Sequence, residues 1–426
     1  MNALLNALRA AKNINAWKIN ANTRESCELF YVQKKVETVR ATDTVDYSVT
    51  IYVDKDGQRG SASFTYYSYM GEAEVAKLID EAVFATNFTM NQFFELPFPE
   101  EAEIHEGKSN LADKPFAETI SEIGKAIMKA NNVENGSLSA TEVFLYKTTK
   151  HVLNSNGVDV AATSYECQIE TIPNYVNGEE EVEIYQTVSF SEFNPDELTA
   201  KIAESLRLCK DRSIAIPMPK VDALPVILQD EEVSEFFNIF VDDLGYGTAY
   251  MHGNRYELGD AIQQNPTGDV MDIEARPIVD GALASASVDR DGVVLKPVKL
   301  IEGGVAKNRY GEYRYGYYLG EKRPAGMIPV LYVKEGTAEE ADFKKGPYLR
   351  CVRFSGIQGD LMSGFFGGEV RLAYYFDGEK EIPVTGLSIQ GSLMEAKETF
   401  RASKQRVTLE RYSGPKYLYI PNVIIC

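Results

Sequence analysis

The chain has 426 residues, 44% of them hydrophobic, and 63 acidic against 44 basic side chains give a net charge of −19. That is enough apolar material for two or three packed domains, while no run of about 18 apolar residues is present to span a membrane. A duplex-binding surface needs clustered Lys and Arg to displace counterions; no basic run occurs, so no nucleic-acid partner is expected.

Met1–Ala11 reads as an amphipathic helix. It lacks the basic start and the long apolar core of a signal peptide. Cys27, Cys167, Cys209, Cys351 and Cys426 are scattered, odd in number and free of any C-x-x-C pair, as expected of reduced thiols in a cytoplasm. Asn87-Phe-Thr89 and Asn135-Gly-Ser137 match the glycosylation pattern and are read as coincidences in a protein that is not secreted.

One pattern is written twice in the first half. A strand-rich block, Glu28 to Tyr67, alternates most clearly in Tyr47-Ser-Val-Thr-Ile-Tyr-Val53 and turns at Asp56-Gly57. A helix follows from about Glu72 to Phe88, with Val75, Leu78, Ile79, Ala82 and Val83 on one face. The second copy opens with a helix from about Pro115 to Ala130, capped by Asp113 and striped by Ile120, Ile123 and Ile127. Strands are expected around Glu142–Tyr146, Val158–Ile169 and Val182–Phe190, with turns at Asn156-Gly157 and Asn177-Gly178. A closing helix starts at Asn194, with Pro195 in its first turn, Glu197 completing a capping-box-like start, and Leu198, Ile202 and Leu206 at helical spacing.

Prolines at Ile216-Pro-Met-Pro219 and Pro225 mark a boundary. Beyond it the chain reads as strand and turn, with one clear helix from about Asp230 to Leu244 closed by Gly245. The fold class expected is α+β: N-terminal α/β layers, 1–110 and 111–215, the second a candidate repeat of the first, then a mainly antiparallel β domain over 220–426 bearing one or two helices. Paired layers of this kind suit a long groove or a dimer surface.

Phosphate-loop and G-x-S-x-G patterns are absent. Asp54-Lys-Asp-Gly57 and Asp289-Arg-Asp-Gly292 lack the remaining calcium-loop ligands and read as turns. Glu179–Ile184 reads as a charged edge strand.

The most informative stretch is Ser363-Gly-Phe-Phe-Gly-Gly-Glu-Val-Arg-Leu-Ala-Tyr-Tyr-Phe-Asp-Gly378, continued by Glu379-Lys-Glu-Ile-Pro-Val-Thr-Gly-Leu-Ser-Ile-Gln-Gly-Ser-Leu393. On pattern it is a hairpin in a glycine-rich sheet. It also resembles the C-terminal domain of the TldD/PmbA (TldE) family, cytoplasmic proteins associated with a zinc peptidase and also labelled modulators of DNA gyrase. Leu300-Ile-Glu-Gly-Gly-Val-Ala306 is similar to the family's "L-I-x-x-G-V-L" turn, departing at Ala306, and Gly414-Pro415 fits its closing segment.

The resemblance implies where chemistry would lie. In the catalytic branch the first helix of this domain carries H-E-x-x-x-H, two histidines sharing a zinc ion and a glutamate acting on zinc-bound water, with a late cysteine as third ligand. Here that register falls on Asn238-Ile-Phe-Val-Asp-Asp243: Asn238 and Asp243 stand for the histidines and Ile239 for the glutamate. The chain's three histidines are His105, His151 and His252, and neither Cys351 nor Cys426 suits the cysteine position. The resemblance therefore implies a PmbA/TldE-like chain with no catalytic residue, no metal ligand and no cofactor of its own, in which zinc belongs to a TldD-like partner and the process is proteolysis or peptide maturation. Two alternatives stand beside it: a homodimeric peptide-binding protein, and a peptidase with a non-standard metal site.

His252 lies in a loop beside this degenerate slot and reads first as a surface histidine, with peptide contact the alternative. Arg309, Tyr313 and Arg314 sit in a tyrosine- and arginine-rich run, Asn308–Tyr318, whose residue types anchor interfaces. Peptide or partner contact and plain packing weigh equally there.

Overall fold

The computed structural model describes residues 1–101, 103–107 and 109–426. The architecture is α+β with mostly antiparallel pairing. The N-terminal half starts with α1 (Asn2–Ala10), then the meander β1 (Ala16–Val32), β2 (Lys35–Lys55) and β3 (Gln58–Tyr66), then α2 (Glu72–Thr86) and the short β4 (Asn91–Gln92). The second unit runs α3 (Phe116–Ala130), β5 (Gly136–Asn154), β6 (Asp159–Asn177), β7 (Glu180–Glu183), β8 (Gln186–Phe190) and α4 (Pro195–Ser213). All these strands form one sheet, ordered β4-β3-β2-β1-β5-β6-β7, with β8 also on β6.

The register shows a duplication. Adding 122 to both numbers takes the pair Ala21↔Tyr47 to Val143↔Ile169, and Tyr47↔Tyr66 to Ile169↔Val188. The central β1–β5 ladder maps onto itself, Lys18↔Asn154 becoming Ala140↔Val32. The pseudo-dyad passes beside the pair Glu25↔Lys147, whose side chains meet at 3.1 Å. The closing helices follow with one residue more: buried Val75, Ile79, Ala82 and Thr86 of α2 correspond to Leu198, Ile202, Ser205 and Cys209 of α4 at an offset of 123.

Strand alternation then decides the layering. Ile19 packs with Val49, Ile51, Leu4, Leu8 and Ile79 under α1 and α2, while Cys27 and Leu29 pack with Ile123, Ile127 and Ile202 under α3 and α4. Ile19, Cys27 and Leu29 share parity on β1, so both helix pairs lie on the same face. Part of the other face receives the C-terminal domain, through the Lys18–Asp291 ion pair and Gly292 against Val152 and Val158.

That domain comprises β9 (Ile216–Pro217), β10 (Ala223–Gln229), α5 (Glu231–Asp242), α6 (Tyr246–Tyr250), β11 (Ile273–Arg276), β12 (Val298–Glu302), β13 (Val305–Ala306), α7 (Tyr313–Tyr318), β14 (Val330–Val333) and α8 (Glu340–Phe343). It continues with β15 (Tyr348–Asp360), β16 (Phe365–Phe376), β17 (Glu381–Thr385), β18 (Leu387–Ser392), α9 (Leu393–Thr399), β19 (Arg401–Ala402), β20 (Arg406–Thr408), β21 (Tyr412–Pro415) and β22 (Tyr417–Ile425). Strands β15, β10, β22, β18 and β16 close a five-membered ring, because β16 pairs back with β15; β17 and β9 extend it. A second sheet runs β13-β12-β11-β14-β21-β20. The glycine-rich signature is β16 and β18, where a Cβ on Gly391 would lie 2.2 Å from the Phe366 ring. Helix α5 buries Val233, Phe236, Phe237, Phe240 and Val241 in this core, with Phe236 set edge-on to Phe366 at 5.9 Å.

Several expectations need correction. The first block starts at Ala16, twelve residues before Glu28, because polar Asn20, Asn22 and Arg24 alternate on the helix-free face and mask the strand. Asp113 ends a short 3₁₀ turn and Pro115 stands at the N-cap of α3, its fixed φ suiting a helix entry. Asn194 does cap α4, accepting from the amides of Asp196 and Glu197, although Glu197 turns to Lys201 instead of reaching back. Gly245 has φ −66 and begins α6, so α5 ends at Asp242 without a left-handed glycine. Five helices, not one or two, decorate the C-terminal domain; α6 to α9 are too short for periodicity to announce them.

Candidate functional site

α5 is apolar on the side that enters the core and polar on the other. Glu235, Asn238, Ile239, Asp242 and Asp243 line one wall of a groove of about 510 Å³. Thr248 and Gly253 border it, and the distal half of β15 with the turn after it, Ile357 to Met362, forms the opposite wall. Beyond Arg350, β15 pairs with β16 on one edge and, among the described residues, with no strand on the other.

The three residues of the degenerate slot come together here with distinct duties. Asp243 is buried, and its two carboxylate oxygens accept from the amides of Arg255 at 2.6 Å and Tyr256 at 2.9 Å. It pins the 252–256 loop to the end of α5. Ile239 lies against the strand opposite: a Cβ on Gly359 would fall 2.2 Å from its Cδ1. Asn238 reaches only Ser234, at 3.5 Å. These three side chains do not make a zinc-ligand set, since one has no donor atom and another has spent both oxygens on backbone amides.

Two groove residues lay outside the sequence reading. Burial pushes the Asp242 carboxyl up, and burial with the charge of Asp242 does the same to Glu235. The i, i+3, i+7 spacing of Glu235, Asn238 and Asp242, set among the buried Val233, Phe236, Phe237, Phe240 and Val241, was the available signal. Deeper in, burial first and the charge of Asp242 second push the Tyr310 hydroxyl up to about 12.

His252 is exposed, with φ 56, one residue before the groove-lining Gly253. Glu257 accepts from Asn254 at 2.9 Å and from Arg309 at 2.8 Å, and these bonds, Asn254's first, hold its carboxyl below its usual range. Tyr313 and Arg314 lie on α7, turned toward the N-terminal half: Tyr315 and Tyr318 stack with Tyr250, Tyr318 meets Phe94 at 6.0 Å, and its hydroxyl donates to the Gln92 carbonyl. Arg314 lies over the Tyr315 ring. Of the four contact candidates, only His252 adjoins the groove residues.

Residues 222–425 match the PmbA/TldA metallopeptidase C-terminal domain. The C-terminal domain belongs to the TldD/PmbA family. The fold of the whole chain is that of TldE from Thermococcus kodakarensis, with a TM-score of 0.77 and 16% identity over 100% of both chains. It is also that of two proteins described as modulators of DNA gyrase. One, from Bacteroides thetaiotaomicron, has a TM-score of 0.81 and 14% identity over 99% of this chain and 97% of that one. The other, from Thermotoga maritima, has a TM-score of 0.78 and 14% identity over 100% and 98%. No curated protein matches. The family assigned from the glycine-rich hairpin and the Leu300–Ala306 turn therefore stands.

Proposed function

We propose that this chain is a TldE-like subunit that takes extended peptides into the groove between α5 and β15 and assembles with a zinc-bearing relative that cleaves them. The observation that carries this reading is Asp243. At the place where a histidine of H-E-x-x-x-H would lie, the side chain serves as a backbone tether, and its neighbour Ile239 packs on Gly359. An extended wall with a free strand edge suits main-chain recognition of a peptide. The reading makes zinc the relative's cofactor, the process peptide maturation or degradation, the compartment the cytoplasm, and nucleic acid no partner.

The test is affinity purification of the tagged chain from its native cells, with mass spectrometry of proteins recovered in comparable amount. A co-purifying chain of the same family carrying H-E-x-x-x-H is expected. Recovery of this chain alone, with stoichiometric zinc bound, would overturn the assignment in favour of a self-sufficient peptidase.

A further inference from the structure

A second cavity, of about 370 Å³, adjoins the end of the groove at Leu361. Arg255 and Tyr256 line it from the loop that Asp243 pins, Gln264 and Asn265 from the segment before β11, and Lys397 and Glu398 from α9. Arg255 joins the two spaces: its Nη1 donates to the Leu361 carbonyl at 2.8 Å, and Leu361 lines the groove.

The cavity is built around a buried ammonium. The Lys397 side chain is 7% exposed, a state that is costly unless the charge is paired. Its Nζ donates to the Ile262 carbonyl and, at 3.3 Å, to the Tyr256 hydroxyl, and it lies 3.4 Å from the Glu398 carboxylate. The Tyr256 hydroxyl in turn donates to the Met394 sulfur. Glu398 accepts from the backbone amides of Gln264 at 2.9 Å and Asn265 at 3.0 Å. Lys397 and Glu398 therefore balance each other and fix the walls, and Arg255 is left over. Among the described residues no carboxylate pairs with it, and its Nε and Nη2 meet no acceptor. The side-chain amides of Gln264 and Asn265 line the same cavity and bond no protein group among the described residues. A guanidinium edge with free N–H groups, flanked by two amides, matches the planar pair of oxygens of a carboxylate.

The groove has the opposite sign. Glu235 and Asp242 line it, and Asp360 adds a third carboxylate, which accepts from the amides of Met362 and Ser363. A peptide main chain can lie along such a wall, but a free carboxylate is repelled by it. The geometry also sets a direction. Ile239 faces Gly359, and Asp243 holds the Arg255 backbone while the Arg255 side chain reaches Leu361. α5 and β15 therefore run the same way along the groove, both toward the cavity. We infer that this cavity takes the C-terminal carboxylate of a peptide lying in the groove, with Arg255 as its ion-pair partner and Gln264 and Asn265 as amide donors. The inference rests on the groove being the peptide site. A peptide held in this way runs parallel to β15, and its register is counted from its carboxyl end.

The test titrates the full chain with a peptide of alanine, serine and valine labelled at its amino terminus, made as the free acid, as the C-terminal amide, and as an amide ending in glutamate. Fluorescence anisotropy should give the free acid a Kd at least about tenfold below that of either amide. Arg255→Gln should erase that gap, and Gln264→Ala with Asn265→Ala should narrow it. The readout is a ratio within one variant, so a general loosening of the loop, which weakens all three peptides together, does not imitate the effect. Equal binding of acid and amide by the wild-type chain would overturn the inference and leave the groove reading standing. A glutamate-ended amide as tight as the free acid would overturn the terminal assignment, and a gap that survives Arg255→Gln would overturn the role of Arg255. Failure of all three peptides to bind would overturn the groove reading and this inference with it.

Discussion

The N-terminal sheet and the C-terminal domain solve the burial problem in opposite ways. The sheet stays open, hides one face under four helices and repeats its own plan, so core positions such as Ile79 and Ile202 are twins. The C-terminal domain bends its strands into a ring, buries α5 deeply against them and has no internal twin. Repetition gives the sheet redundancy; closure gives the other domain a helix held firmly enough to present a polar stripe to a groove. The difference teaches that the groove depends on a core, not on a loop.

Changes in the ring's core should therefore be the most damaging. Phe236→Ala removes the ring that meets Phe237, Phe240, Phe366 and Phe400 and should cost about 3–5 kcal/mol in denaturant unfolding, with loss of peptide binding. In the sheet, Ile79→Ala and Ile202→Ala occupy equivalent buried positions and should cost similar amounts, about 2–5 kcal/mol each, while leaving the groove intact; a large disparity between the two would argue that the repeat is one of shape alone. Asp243→Ala leaves the amides of Arg255 and Tyr256 without their acceptor and should cost about 2–4 kcal/mol, with amide exchange rising first in 252–256. Asp243→His, a step toward the catalytic motif, should destabilise comparably, so the motif cannot be rebuilt here without remaking the loop.

The smallest effect concerns pH. Burial, with Glu231 adding repulsion, pushes the Glu232 carboxyl up to about 7, with Asp230 and Arg353 also facing it. A carboxyl whose folded pKa is raised binds more protons folded than unfolded between about 4.5 and 7, so its contribution to stability falls as pH rises through that window and levels off above it. Glu232→Gln should flatten the thermal-stability profile over that range relative to wild type and be the more stable form at pH 8. A variant that tracks the wild-type slope would show that Glu232 is not the group responsible.

Much of this fold was legible because its signals are local. Asn194-Pro195, Asp56-Gly57 and Asp377-Gly378 each dictate their own geometry, and the doubled meander followed from alternation. The start of β1 was hidden because a half-polar strand carries little pattern. At the site, the loss of H-E-x-x-x-H could be read directly, but what replaced it could not: that Asp243 would hold two amides twelve and thirteen residues away, or that Ile239 would meet Gly359, depends on the ring bringing β15 over α5. The tyrosine-rich run illustrates the same limit, since Tyr318 lies against Phe94, far away in sequence.

The ring that shapes the groove is not equally strong around its circumference. β15 is held to β16 along nearly its whole length but joins β10 at only two residue pairs, Val226↔Leu349 and Ile227↔Arg350, in parallel pairing. That seam is short but enclosed: Val226, Ile227 and Leu349 are fully buried, so the ring is sealed there by side-chain packing more than by backbone bonds. Past Arg350 the distal half of β15 stands on β16 alone, and the groove wall it forms is the stretch of the ring with the fewest backbone hydrogen bonds to break.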